Sequence, residues 1–172
     1  MKSYCIIGPS GVGKTYTLKT AFGVSGGYGA LGVCGGKRNI ATIGNKQFIP
    51  ELKRIAKFRA ADNSKIEEGY RNLLQNDYIS FIDVGPYVSY CIPYAKELTD
   101  CTVVAIRSDY ETILRNLLSR KVQDNGKNRK REVAYQSAKS LDRFYNKADM
   151  LMTQQDLITL IRTAHGPTTR DS

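Results

Sequence analysis

Gly8-Pro9-Ser10-Gly11-Val12-Gly13-Lys14-Thr15 places its glycines, a lysine and a hydroxyl at the spacing of a phosphate-binding loop. Each residue type has a task in such a loop. The glycines let the backbone turn so that successive N–H groups face an anion. With Ser10 and Val12 they form the cradle. Lys14 brings a mobile positive charge to the outer phosphates. Thr15 offers a hydroxyl to a magnesium ion. The helix that starts here adds its positive end to the same anion. The chemistry implied is binding of a nucleoside triphosphate, with ATP and magnesium as the expected cofactors.

A second acidic group is needed to hold the metal, and a base or orienting group to handle an acceptor. Asp83 ends the apolar run Ile79-Ser80-Phe81-Ile82. A strand ending in aspartate sets a carboxylate at the sheet edge beside the loop. Asp62, in Phe58-Arg59-Ala60-Ala61-Asp62-Asn63-Ser64, is the candidate catalytic base, with a helix N-cap as its alternative. Arg120 and Arg129 are the candidate phosphate contacts in a basic segment, Arg120 to Arg131. There Arg120, Lys121, Lys127, Arg129, Lys130 and Arg131 surround a single Asp124. A mobile lid of this composition would bring charge to a transferring phosphoryl group. A strip for nucleic acid and a solvated charge run are the competing readings.

The elements that must position these groups alternate between strands and helices. Lys2 to Ile7, Tyr78 to Val84, Thr102 to Ile106 and Met150 to Met152 read as strands. One more is expected at either Ala30 to Cys34 or Ile40 to Ile43. Helices are expected after the loop and over 64–76, 88–98, 109–121, 130–147 and 154–163. Ser108 or Asp109, and Thr153, are the expected caps of the fourth and last of that series. The order predicts an α/β P-loop fold: a five-stranded parallel sheet with helices on both faces and a basic lid. One domain over 1–164 is expected, with the lid at about 120–131 and a frayed tail over 165–172.

The 172 residues are 41% hydrophobic and 24% charged, ordinary for a globular chain. No apolar run reaches the length of a membrane span. The chain enters its first strand with no room for a secretory leader, and its cysteines form no metal spacing, so a cytoplasmic protein with reduced thiols is expected. One histidine, His165, makes a histidine triad or zinc site unworkable. The net charge of +10 points to a polyanion, either nucleic acid or nucleotide polyphosphates.

These parts together resemble the small P-loop kinases of the nucleoside-monophosphate kinase type. The resemblance rests on Gly8 to Thr15, on Asp83-Val84-Gly85-Pro86 and on the arginine-bearing segment after the third strand. It implies magnesium-ATP as donor and in-line transfer of the terminal phosphoryl group. Ala41-Thr42-Ile43-Gly44 and the segment around Asp62 also look like phage-encoded kinases acting on hydroxymethylated pyrimidines inside DNA, although Ala60-Ala61 stands where that pattern has Gly-Thr. DNA is therefore the first expected acceptor, and Tyr87, Tyr90 and Tyr94 are candidates to stack on a flipped base. A free nucleoside or mononucleotide is the alternative acceptor. A nucleotide-dependent nucleic-acid-binding protein without transfer activity is the third reading.

Overall fold

The computed structural model of the chain describes residues 2–23, 33–34, 37–38, 41–43, 46–50, 74, 79–84, 91–119 and 127–163. The strands are β1 (Lys2–Ile7), β2 (Val33–Cys34), β3 (Lys37–Arg38), β4 (Ala41–Ile43), β5 (Lys46–Pro50), β6 (Ile79–Asp83), β7 (Asp100–Ile106) and β8 (Met150–Met152). The helices are α1 (Lys14–Phe22), α2 (Cys91–Leu98), α3 (Tyr110–Ser119), α4 (Lys127–Lys139), α5 (Leu141–Lys147) and α6 (Gln154–Thr163).

The main sheet has the order β4-β5-β6-β1-β7-β8. Its centre is four parallel strands, β6, β1, β7 and β8. β5 joins β6 in parallel, and β4 pairs antiparallel with β5. The sheet is thus six-stranded and mixed, rather than the five-stranded parallel sheet expected. β2 and β3 form a separate antiparallel pair.

Alternation along the strands divides the core in two. Cys5, Ile7, Ile82, Val84, Val103 and Ala105 face one side, covered by Ala95 and Leu98 of α2 and flanked by Phe144 and Tyr145 of α5. Ile6, Phe81, Val104 and Ile106 face the other, covered by Leu18 and Phe22 of α1, Ile113 of α3, and Leu157 and Ile161 of α6. Phe81 is fully buried, stacked on Tyr4 at 5.1 Å and edge-on to Phe22 at 5.8 Å. Helices therefore flank the sheet on both faces, as the near-continuous apolar strands require.

The caps behave as their side chains dictate. Asp109 Oδ1 accepts a bond from the Thr112 backbone N–H at 2.8 Å, and Oδ2 one from the Thr112 hydroxyl at 2.9 Å. Thr153 Oγ1 accepts the Asp156 N–H at 3.1 Å, at the start of α6. The basic segment differs from expectation. Lys127 to Arg129 belong to α4, which starts three residues before the helix expected from 130, and not to a loop. Lysine and arginine are good helix formers, and Ala134 and Ala138, four residues apart, bury one face of the same helix. The single helix expected over 130–147 is two, α4 and α5, joined at Ser140.

Cys5 and Cys101 form no disulfide, and the Cys101 thiol donates to the Cys5 sulfur at 3.6 Å. The hydrogen bond to Cys5 is the largest of the influences that bring the Cys101 thiol down to about 7. Among the described residues no helix is long and apolar enough to cross a membrane.

Candidate functional site

The loop after β1 and the end of β6 meet because their strands are neighbours. Ile6 pairs with Asp83 in register, and the Val84 N–H donates to the Ile6 carbonyl at 3.0 Å. The chain leaves β1 between β6 on one side and β7 on the other. That reversal of strand order opens a crevice at the carboxyl edge of the sheet.

Every carbonyl from Gly8 to Gly13 accepts a hydrogen bond. Lys14 Nζ donates to Gly8 at 2.9 Å and the Val12 N–H to Pro9 at 3.2 Å. Ser137 Oγ of α4 donates to Ser10 at 2.9 Å, Asn116 Nδ2 of α3 to Gly11 at 3.0 Å, and Gln154 Nε2 of α6 to Val12 at 3.1 Å. The Thr17 N–H and hydroxyl both reach the Gly13 carbonyl, at 2.9 and 2.7 Å. A carbonyl held outward turns the N–H of the next residue the opposite way. The peptides of Gly13 and Lys14 are thereby turned with their N–H groups away from these partners, the arrangement that an anion-binding nest requires.

Two glycines are required here. Gly11 and Gly13 have φ of 90° and 89°, which L side chains rarely adopt. A Cβ on Gly11 would stand 2.6 Å from Leu117 Cγ and 3.0 Å from the Ile113 carbonyl. One on Gly13 would run into the Gln154 amide that holds the loop.

Thr15 Oγ1 donates to Asp83 Oδ2 at 2.5 Å. Asp83 is 2% exposed and Lys14 is 8% exposed, so both charges are shielded from water. A magnesium ion takes one or two protein oxygens and completes its shell with phosphate and water. One carboxylate and one hydroxyl side by side at the mouth of an anion nest suit that demand.

Two cavities flank the loop. The first, about 790 Å³, is lined by Gly11, Val12 and Gly13, by Tyr16, by Arg107 to Asp109, by Thr112, Asn116 and Ser119, and by Thr153 to Gln155. Its rim is braced by the Tyr145 hydroxyl, which accepts the Ser108 N–H at 2.8 Å and donates to the Ser108 carbonyl at 2.9 Å. The Thr112 backbone N–H, and then its hydroxyl, hold the Asp109 carboxyl below the usual carboxylate range. The second cavity, about 480 Å³, lies against Pro9, Ser10 and Val84. It is walled by Ile92, Leu117, Val133 and Phe144, with Glu132, Arg143 and Lys147 as its charged groups.

Of the residues expected from the sequence, Gly8 to Thr15 and Asp83 are brought together. Asp62 and Arg120 lie outside the described residues, as do Tyr87 and Tyr90. Arg129 falls on the first turns of α4, where its side chain is not described. Tyr94, on α2, is partly buried and packs against the core. Asn116, Ser137, Gln154 and Tyr16 were not singled out by the sequence. The first three act across 105, 127 and 142 residues.

No protein-family model matches the chain, and no curated protein sequence matches it. Solved structures similar to it include a shikimate kinase from Bacteroides thetaiotaomicron, 15% identical, with a TM-score of 0.49 over 95% of this chain and 96% of that one. Another is the shikimate kinase from Acinetobacter baumannii in complex with shikimate, 14% identical, TM-score 0.49, covering 99% and 96%. A third is the shikimate kinase from Aquifex aeolicus, 12% identical, TM-score 0.43, covering 95% and 93%. At these values the likeness carries no inference about what this chain binds, and it lends the DNA acceptor no support.

Proposed function

We propose that the chain is an ATP- and magnesium-dependent phosphotransferase that moves the terminal phosphoryl group to an oxygen of a small anionic acceptor and releases ADP, with a mononucleotide, accepting at a hydroxyl or at its phosphate, as the acceptor class. The observation that carries this reading is the set of loop carbonyls, all engaged from Gly8 to Gly13, beside the Thr15–Asp83 pair. Preorganised donors aimed at phosphate oxygens need no rearrangement as charge shifts in the transition state. Thr15 and Asp83 would hold the magnesium, which draws charge from the outer phosphates when bound. Lys14 adds a fixed cation to the same oxygens.

The two cavities suit the two substrates. The larger takes the nucleoside of the donor. The smaller, on the Pro9–Ser10 side, is of a size for a compact metabolite. Arg143 and Lys147 stand four residues apart on α5, hence on one face, and offer an anionic group two cations. Asp62 as base, and Arg120 and Arg129 as phosphate contacts, complete the proposal on the sequence argument. A hydroxymethylated base in DNA is the acceptor that the net charge of +10 favours. Net charge speaks to association with a polyanion, not to the site.

The test supplies γ-labelled ATP and magnesium with two acceptor sets. One is a pool of mononucleotides to which shikimate is added; the other is DNA containing hydroxymethyluracil. Label is expected in the small-molecule pool. Arg143→Ala should raise KM for that acceptor roughly tenfold, for one charge-assisted hydrogen bond lost, with KM for ATP unchanged. Label on DNA alone would overturn the acceptor assignment.

A further inference from the structure

Tyr16 has no part in holding phosphate, yet it stands next to Thr15 on the first turn of α1. Its side chain is 68% exposed, the most exposed of the large hydrophobic residues described. Among the described residues it has no hydrogen-bond partner and stacks on no other ring. A side chain so placed adds nothing to the core, and leaving an aromatic ring in water forgoes the stabilisation that burial gives.

The ring lines the larger cavity, where it is the one aromatic side chain among the described residues. Hydroxyls, amides and the charges of Arg107 and Asp109 make up most of the remaining lining. A helix turns by about 100° per residue, so Tyr16 is swung away from the side on which Thr15 meets Asp83. The metal pair marks where the outer phosphates belong. Gly11, Val12 and Gly13 belong both to the phosphate nest and to the wall of this cavity. A triphosphate seated on the nest therefore directs its nucleoside into the space that Tyr16 borders.

We infer that Tyr16 is the stacking platform for the donor's base, its phenol ring covering one face of the nucleobase. The inference rests on the donor reading above and deepens it. Every nucleobase has a π-face, so the platform selects a nucleoside triphosphate over bare polyphosphate. Discrimination among bases is left to the polar groups of the same cavity.

Calorimetric titration of the full chain with magnesium tests this, using the β,γ-imido analogue of ATP and, separately, inorganic tripolyphosphate. Tyr16→Ala should weaken the analogue about five- to a hundredfold and leave tripolyphosphate unchanged. Tyr16→Phe should keep the wild-type affinity for both. The ring is exposed, so the truncation should leave the unfolding midpoint in place, and a thermal melt checks it. Equal weakening of both ligands would mean that Tyr16 acts through the shape of the loop, and no weakening of either would mean that the ring touches no base. Each result overturns the platform. Failure of the wild-type protein to bind either ligand would overturn the donor reading and the platform together, and is distinct from binding that ignores Tyr16.

Discussion

Lys14→Ala is expected to slow phosphoryl transfer by about a hundred- to a thousandfold, the loss seen when one preorganised donor to a developing charge is removed. Two effects combine. The ammonium is drawn into the loop, with Nζ 2.9 Å from the Gly8 carbonyl and the residue 8% exposed. Its charge is therefore poorly screened by water and acts strongly on the outer phosphates. The same bond braces Gly8, so alanine also loosens the first peptide of the nest. Lys14→Arg should fail to restore the rate, because a planar fork does not replace a compact point charge. Single-turnover transfer from γ-labelled ATP measures this. A rate within tenfold of wild type would remove Lys14 from the proposed chemistry.

Asp83→Asn is expected to cost a comparable factor, about a hundredfold or more, and to shift the magnesium requirement upward. The amide keeps the size of the carboxyl, and its oxygen can still accept the Thr15 hydroxyl bond that Asp83 accepts at 2.5 Å. What it loses is the charge, which at 2% exposure has little competition from solvent. Lys14 is buried in the adjoining loop, so losing the carboxylate takes negative charge away from a shielded ammonium and is expected to lower the melting temperature as well as the rate. Rates are therefore compared at a temperature below the melting transition of the variant. Initial rates over a magnesium titration separate the cases. A lowered rate with an unchanged magnesium midpoint would mean that Asp83 orients Thr15 without holding the metal.

The strand, loop and helix around Gly8 to Thr15 were legible because their information is local. Gly8 to Thr15 is eight consecutive residues, and the strand before it and the helix after it are set by adjacent sequence. Asp83 was legible because an apolar run stops at a carboxylate. Its contact with Thr15 then follows from β6 lying beside β1. β5 was not legible. Lys46-Gln47-Phe48-Ile49-Pro50 has two polar residues and a proline, so it lacks the apolar run that marked the other parallel strands. Its place in the sheet comes from pairing with β6.

The brace on the loop was invisible for a different reason. Asn116, Ser137 and Gln154 are unremarkable on their own helices. They matter only because α3, α4 and α6 converge on three successive carbonyls. Lys127 to Arg129 were placed ahead of the helix expected from 130 because charge and a nearby Asn125-Gly126 suggested a loop. Helix propensity, with Ala134 and Ala138 as anchors, decided otherwise. The smaller cavity, proposed above for the acceptor, draws its cations Arg143 and Lys147 from α5, where they form no sequence motif.

The central claim is that Gly8 to Thr15 and Asp83 present magnesium-ATP for transfer to an acceptor other than water. The most direct measurement follows the γ-phosphoryl group of labelled ATP in the presence of the pooled small acceptors. Labelled organic phosphate, separated by chromatography from ATP and from inorganic phosphate, should accumulate, dependent on magnesium and lost with Lys14→Ala. Label that remains in ATP, or that appears as inorganic phosphate alone, would contradict the account.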